Sequence, residues 1–102
     1  MARKATLLHP EDNVATALTD LQSGELVNAS LSDVSVDTRL REEIAFGHKY
    51  ALRAITKGET VVKHGMPIGK ALGDISPGEW VHVHNCRSDR FGFHRKEYGL
   101  KA

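Results

Sequence analysis

The chain has 102 residues, 40% hydrophobic and 26% charged, with a formal net charge of +1 and a single cysteine. Such a composition fits one soluble globular domain with one modest core and excludes a disordered chain; no apolar run nears the roughly 20 residues of a membrane-spanning helix. The small net charge argues against a dedicated nucleic-acid binder, and lone Cys86 rules out an internal disulfide.

The opening "MARKATLLHPED" has no apolar core long enough for a signal peptide, so a reducing, cytoplasmic setting is expected. "KATLLH" (4–9) reads as a first strand. "PEDNVATALTDLQSGE" admits two readings. Either Asp12 or Asn13 caps a helix carrying Val14, Leu18 and Leu21, or a turn at "PEDN" precedes a strand from Val14 to Leu21. The polar stretch "NASLSDVSVDTRLREE" (28–43) reads as a loop ending in a helical turn at "LREEI". "YALRAI" (50–55) offers Tyr50, Leu52 and Ala54 on one strand face. "ITKGETVVKHG" then predicts a hairpin turning at Lys57-Gly58, because glycine takes positive φ without cost. "SPGEW" has Pro77 and Gly78 in the two central positions of a type II turn. In "WVHVHN" a period of two puts Trp80, His82 and His84 on one face of a strand. No internal repeat is read. Short elements between glycine-rich turns predict a mostly β single domain over residues 1–86, with at most one or two short helical turns. The basic, aromatic remainder (87–102) lacks a core-forming period and reads as a tail, disordered alone or docked on a partner.

"HPEDNVATALTDLQSGE" followed by "IAFGHKYALRAITKGETVVKHGMPIGKALGDISPGEWVHVHN" resembles the SAF domain of the altronate/galactarate dehydratase family, a β-clip fold. The resemblance runs from about His9 to Asn85 and is carried best by Gly47-His48-Lys49, Ile55 with Gly58-Glu59, Lys63-His64-Gly65 and Ile68-Gly69-Lys70-Ala71. It implies the small subunit of a hydroxy-acid lyase. The substrate would be a sugar acid such as altronate or galactarate, or sulfolactate. The partner would be a large catalytic subunit that holds most of the ligands of a divalent metal, Fe²⁺ by preference. An oligomer is compatible with this picture. A β-elimination needs a base, an electrophile and an acid, and a domain of this size supplies one wall of such a site.

Within that picture His48 and Lys49 are the candidate catalytic residues, the imidazole as acid, base or ligand and the ammonium as an anion partner. Both reach one ligand only if Gly47 bends the chain, since neighbours on a strand face opposite ways. Lys63 and His64 are candidates for binding an anionic substrate. His82 and His84, about 7 Å apart along a strand, are the candidate metal ligands, although a zinc or iron site needs at least one more donor; a polar surface beside Trp80 is the plainer reading. Cys86 lacks a Cys-x-x-Cys companion and His9 precedes Pro10 in a turn, so neither is assigned chemistry. The rival from another class is a non-catalytic sugar-acid-binding module.

Overall fold

The computed structural model describes residues 3–88, and these contain strands and turns without a helix. In chain order the strands are β1 (Ala5–Thr6), β2 (Val14–Ala17), β3 (Leu26–Leu31), β4 (Val34–Arg39), β5 (Lys49–Ala51), β6 (Thr60–Lys63), β7 (Met66–Ala71), β8 (Trp80–Val81) and β9 (Cys86–Arg87). A six-stranded sheet runs β4-β3-β1-β2-β5-β8 and a three-stranded sheet runs β6-β7-β9. This mostly β arrangement is the expected β-clip. With no helix present, none is long and apolar enough to cross a membrane among the described residues. Residues 89–102, most of the expected tail, lie outside the described residues; Arg87 belongs to β9.

One local device recurs. Leu21-Gln22-Ser23-Gly24-Glu25, Ile44-Ala45-Phe46-Gly47-His48, Ile55-Thr56-Lys57-Gly58-Glu59 and Ile75-Ser76-Pro77-Gly78-Glu79 are the same five-residue turn. In each the fifth N–H donates to the carbonyl of the second residue, and the glycine takes φ between 84° and 86°. Where the fifth residue is glutamate, its Oε1 accepts the N–H of the second residue (Gln22 3.0 Å, Thr56 2.9 Å, Ser76 2.9 Å). The leading apolar residues lock the turns in pairs, since Leu21 and Ile44 exchange both backbone hydrogen bonds, as do Ile55 and Ile75. The described residues thus duplicate one turn–hairpin–turn arrangement, a structural repeat where none was read in the sequence. Four turns unevenly spaced along the chain, sharing only a leading apolar residue and a glycine, with glutamate in three of them, are faint in a linear sequence.

Each half contributes a hairpin between its turns. The first is β3–β4, where a loop and a helical turn were expected. Val27, Ala29 and Thr38 are buried while Asn28, Ser35 and Asp37 face water, so a strand period of two lies beneath the Ser/Asp-rich composition. Asn28 Nδ2 donates to both Ser35 Oγ and Asp37 Oδ1, tying the wet face together. The second is β6–β7. It turns at His64-Gly65 rather than at Lys57-Gly58, with Lys63 paired to Met66 and positive φ at both His64 (58°) and Gly65 (71°); two such residues make the type I′ loop that matches strand twist. Gly58 serves the recurring turn instead. Asp12 and Asn13, read as alternative helix caps, cap this hairpin: Asp12 Oδ2 and Oδ1 accept the N–H groups of His64 and Gly65, and Asn13 exchanges side-chain hydrogen bonds with Thr60 and Val62. Val14 to Ala17 is accordingly a strand, the second of the two readings, stopping short of Leu21.

The duplication produces two cores. Leu7, Ala15, Ala17, Leu21, Val27, Leu40, Ile44, Tyr50 and Leu52 fill one; Val14, Ala51, Ile55, Val61, Ala71, Ile75, Val81 and Cys86 fill the other. The paired strands β2 and β5 divide them, since Ala15 and Tyr50, which are register partners, face the first core and Val14 and Ala51, also partners, face the second. Tyr50 is fully buried, its hydroxyl has no hydrogen-bond partner among the described residues, and burial raises its ionisation well above the usual phenol range. Ala54, placed on the same face by pattern, is exposed beyond the end of β5.

Two measurements by denaturant unfolding check this account. A Cβ at Gly78 would stand 2.2 Å from the Arg39 carbonyl oxygen, whereas one at Gly58 meets nothing within 4 Å. Both positions have positive φ, so Gly58→Ala costs about 1 kcal/mol and Gly78→Ala about 3 kcal/mol. Tyr50→Phe removes an unmatched hydroxyl and leaves stability unchanged or raised by up to about 1 kcal/mol.

Candidate functional site

His48 occupies the fifth position of the second turn, where the other three turns carry glutamate. A glutamate there would be spent on its own turn. Asp20 Oδ1 accepts the N–H of Phe46, the third residue of this turn, at 2.9 Å, just as Asp74 Oδ1 accepts that of Lys57 in the third turn, so the N–H of the second residue is what loses its glutamate partner. The imidazole of His48 instead meets Trp80, whose Nε1–H donates to His48 Nδ1 at 3.2 Å. Trp80 is itself held on several sides. Its backbone N–H donates to Glu42 Oε2, its carbonyl accepts from Asn85 Nδ2, and its indole stacks on His82 with ring centroids 4.9 Å apart and planes 11° from parallel. His84 also lies against the indole, at 5.0 Å, and the His48 and His82 rings are 5.3 Å apart.

His48 and Trp80 wall an open cleft of about 550 Å³ completed by Asp20, Leu21, Gln22, Glu43, Ile44 and Ala45. The cleft lies between the first two turns, so the pairing of Leu21 with Ile44 forms its floor. Its lining joins one aromatic ring to two carboxylates, an amide and an imidazole.

Lys49 opens β5 and stands opposite Val81 in the register, while Tyr50 stands opposite Trp80. It thus takes the other face of the ladder from Trp80. Burial lowers its pKa from the ordinary lysine value, and the positive charge of Lys63 lowers it further, with Cys86 acting the opposite way. His82 connects the two faces. Burial lowers its pKa, and the charges of Lys49, His48 and His84 add to the effect in that order. Linked in this way, Lys49, Lys63, His82 and His84 form one basic rim beside His48, drawn from three stretches of the sequence. His64 stands apart: it is exposed at the hairpin tip, its backbone held by Asp12, and no hydrogen bond, ring contact or charge interaction joins it to the rim among the described residues.

The strand expected to carry Trp80, His82 and His84 ends at Val81. Residues 82–85 turn, with the Asn85 and Cys86 N–H groups both donating to the His82 carbonyl and Asn85 Oδ1 accepting the His82 N–H. Asn85 causes this, because its short amide can satisfy the backbone on both sides of the turn. Among the described residues no three His, Cys, Asp or Glu side chains are grouped closely enough to hold a metal ion. The residues present do not fit a complete metal centre. In the sequence Trp80 stands out only as a neighbour of the histidines and Glu42 only as one of a run of carboxylates expected to be solvated, while Asp20, Gln22 and Asn85 are not singled out. The signal that finds the site is the histidine in a turn whose three copies end in glutamate.

Residues 3–89 match the family described as the altronate/galactarate dehydratase SAF domain. The chain belongs to this family. The SAF chain is 48% identical over 85 residues to an altronate dehydratase of Escherichia coli (strain K12), which covers 80% of this chain and 16% of that protein. It is 45% identical over 51 residues to a (2R)-sulfolactate sulfo-lyase subunit alpha of Paracoccus pantotrophus, covering 50% of this chain and 76% of that subunit. With the corresponding subunit of Chromohalobacter salexigens the identity is 32% over 73 residues, 70% of this chain and 78% of that subunit. The SAF chain thus spans a small part of the altronate dehydratase and most of the sulfo-lyase alpha subunits.

Titration of the SAF chain by NMR tests the basic rim. His82 shows a midpoint below 6.5, and Lys49→Gln raises it only part of the way back, because burial is the larger cause. With the folded midpoint below the unfolded one, the unfolded chain takes up the proton first as pH falls below about 6.5. The His82 contribution to stability is therefore present above that pH and lost as pH falls towards the folded midpoint.

Proposed function

We propose that this chain is the small subunit of a hydroxy-acid lyase and completes the active site of a large catalytic subunit. The observation that carries the reading is the histidine-for-glutamate exchange at His48. It places an imidazole at the mouth of a polar cleft at the expense of a turn-stabilising hydrogen bond. The likeness to sulfo-lyase alpha subunits over most of their length supports a role inside an assembly, and the likeness to altronate dehydratase supports lyase chemistry on a hydroxy acid.

The substrate in this reading is a sugar acid such as altronate or galactarate, or a sulfonated analogue such as sulfolactate. Its anionic group faces the rim of Lys49, Lys63, His82 and His84, where partial burial strengthens each charge interaction. Hydroxyl groups find Asp20, Gln22 and Glu43, and carbon-bound hydrogens find the Trp80 face. The donors of a divalent metal, Fe²⁺ by preference, belong mainly to the large subunit. When bound there, such an ion supplies a Lewis acid for the leaving group. The residues of this chain bind and orient the acid and shield it from water. Residues 89–102, beyond β9, are on this reading a docking segment for the partner. A cytoplasmic location suits these partners.

The tagged chain, expressed in its own host, is expected to co-purify with a large lyase subunit in a complex that turns over altronate, galactarate or sulfolactate. The His48→Ala chain forms the same complex in equal yield with kcat reduced about 10²-fold, the usual cost of one lost donor at a developing charge. Turnover by the purified chain alone, or full activity of the His48→Ala complex, overturns the reading.

A further inference from the structure

We infer that Trp80 is a positioning residue that fixes His48 as the neutral tautomer protonated at Nε2, so that His48 acts as a hydrogen-bond donor to the substrate and is neither the base of the reaction nor a metal ligand. The role rests on the site reading above; the tautomer rests on geometry alone.

Indole Nε1–H is a donor and has no acceptor capacity, so at 3.2 Å it requires a lone pair on His48 Nδ1. A neutral imidazole has one N–H and one lone pair, and with the lone pair at Nδ1 the hydrogen is on Nε2. Protonating Nδ1 would set two N–H groups against each other. The indole is held against such a change by its stack on His82 at 4.9 Å, and the Trp80 backbone is pinned by Asn85 Nδ2 at its carbonyl and by Glu42 Oε2 at its amide N–H. A ring held in this form has no lone pair left for an α-proton or for a metal ion, and it retains one hydrogen bond to give. The groups of an enolised carboxylate that gain negative charge are the natural acceptors of that bond. A neutral imidazole serving as an electrophile in proton abstraction next to a carbonyl is an established pattern, and its benefit grows in a cleft from which water is excluded. No proton changes hands at His48 in this role.

The distinction separates His48 from its neighbours. His82 and His84 contact the indole by their faces and edges rather than through its N–H, and nothing on the indole fixes their tautomers. The replacement of glutamate at this turn thereby supplies a donor where the other three turns supply an acceptor.

The test begins with the full chain labelled with ¹⁵N, whose imidazole nitrogens report protonation by chemical shift and by coupling to the ring carbons. Near neutral pH, His48 is expected to show a protonated Nε2 and an unprotonated Nδ1 with no averaging between forms. Trp80→Phe keeps an aromatic face but lacks the N–H, and converts His48 to an averaged mixture. An Nδ1–H form, or averaging already present in the unaltered chain, overturns the lock. In the isolated lyase complex, His48→Gln offers an N–H near the place of Nε2–H and retains about tenfold more kcat than His48→Ala, while Trp80→Phe lowers kcat more than it raises KM. Equal loss in the two His48 variants overturns the donor role. If the site reading itself is wrong, the outcome differs: the tautomer signature persists in the isolated chain while both His48 variants keep full activity in the complex.

Discussion

Everything in this domain depends on the reciprocal backbone pairing of turn with turn, Leu21 with Ile44 and Ile55 with Ile75. Each pairing buries two branched side chains and satisfies four backbone groups at once, which anchors loops that have no helix or long strand to lean on. The glycine at the fourth position lets the chain reverse immediately afterwards, and the glutamate at the fifth closes the turn on itself. With these corners fixed, the strands between them can be as short as two residues and still pair in register.

The site grows from that regularity by a single departure from it. Three corners end in glutamate and are closed by it; the second ends in His48 and reaches for Trp80. Because Trp80 directly follows the fourth corner, the interaction ties the two halves of the duplication together across β5 and β8. The cleft, the rim and the imidazole lock are thus consequences of how the two halves meet. A β-elimination partner would find a wall already carrying a donor, a cationic edge and an apolar ring, each held by backbone-level contacts.

Much of this was legible in the sequence, and the failures have physical causes. The β class followed from glycine and proline spacing, and the Gly47-His48-Lys49 corner was identified through its resemblance to a known family. Lys63 and His82 lie within charge range of Lys49, and His84 within range of His82, with a turn at Asn85 where a continuous strand was expected. What pattern alone could not supply was long-range pairing. Asp12 looks like a helix cap until His64, 52 residues away, is known to be its partner. The β3–β4 hairpin was hidden because its wet face is serine and aspartate, residue types that usually signal loops. Trp80 as a hydrogen-bond donor to His48 was beyond reach, since the two are 32 positions apart.

The smallness of the buried residues has a last consequence. Ala5, Ala15, Ala17, Ala29, Ala51 and Ala71 line the two cores, and alanine has no rotamers to choose among. Strands packed through such side chains sit close, with little slack and few alternative arrangements. In the assembly proposed above, a plate of this kind would meet the larger subunit already in shape, so little ordering entropy would be surrendered when the two assemble.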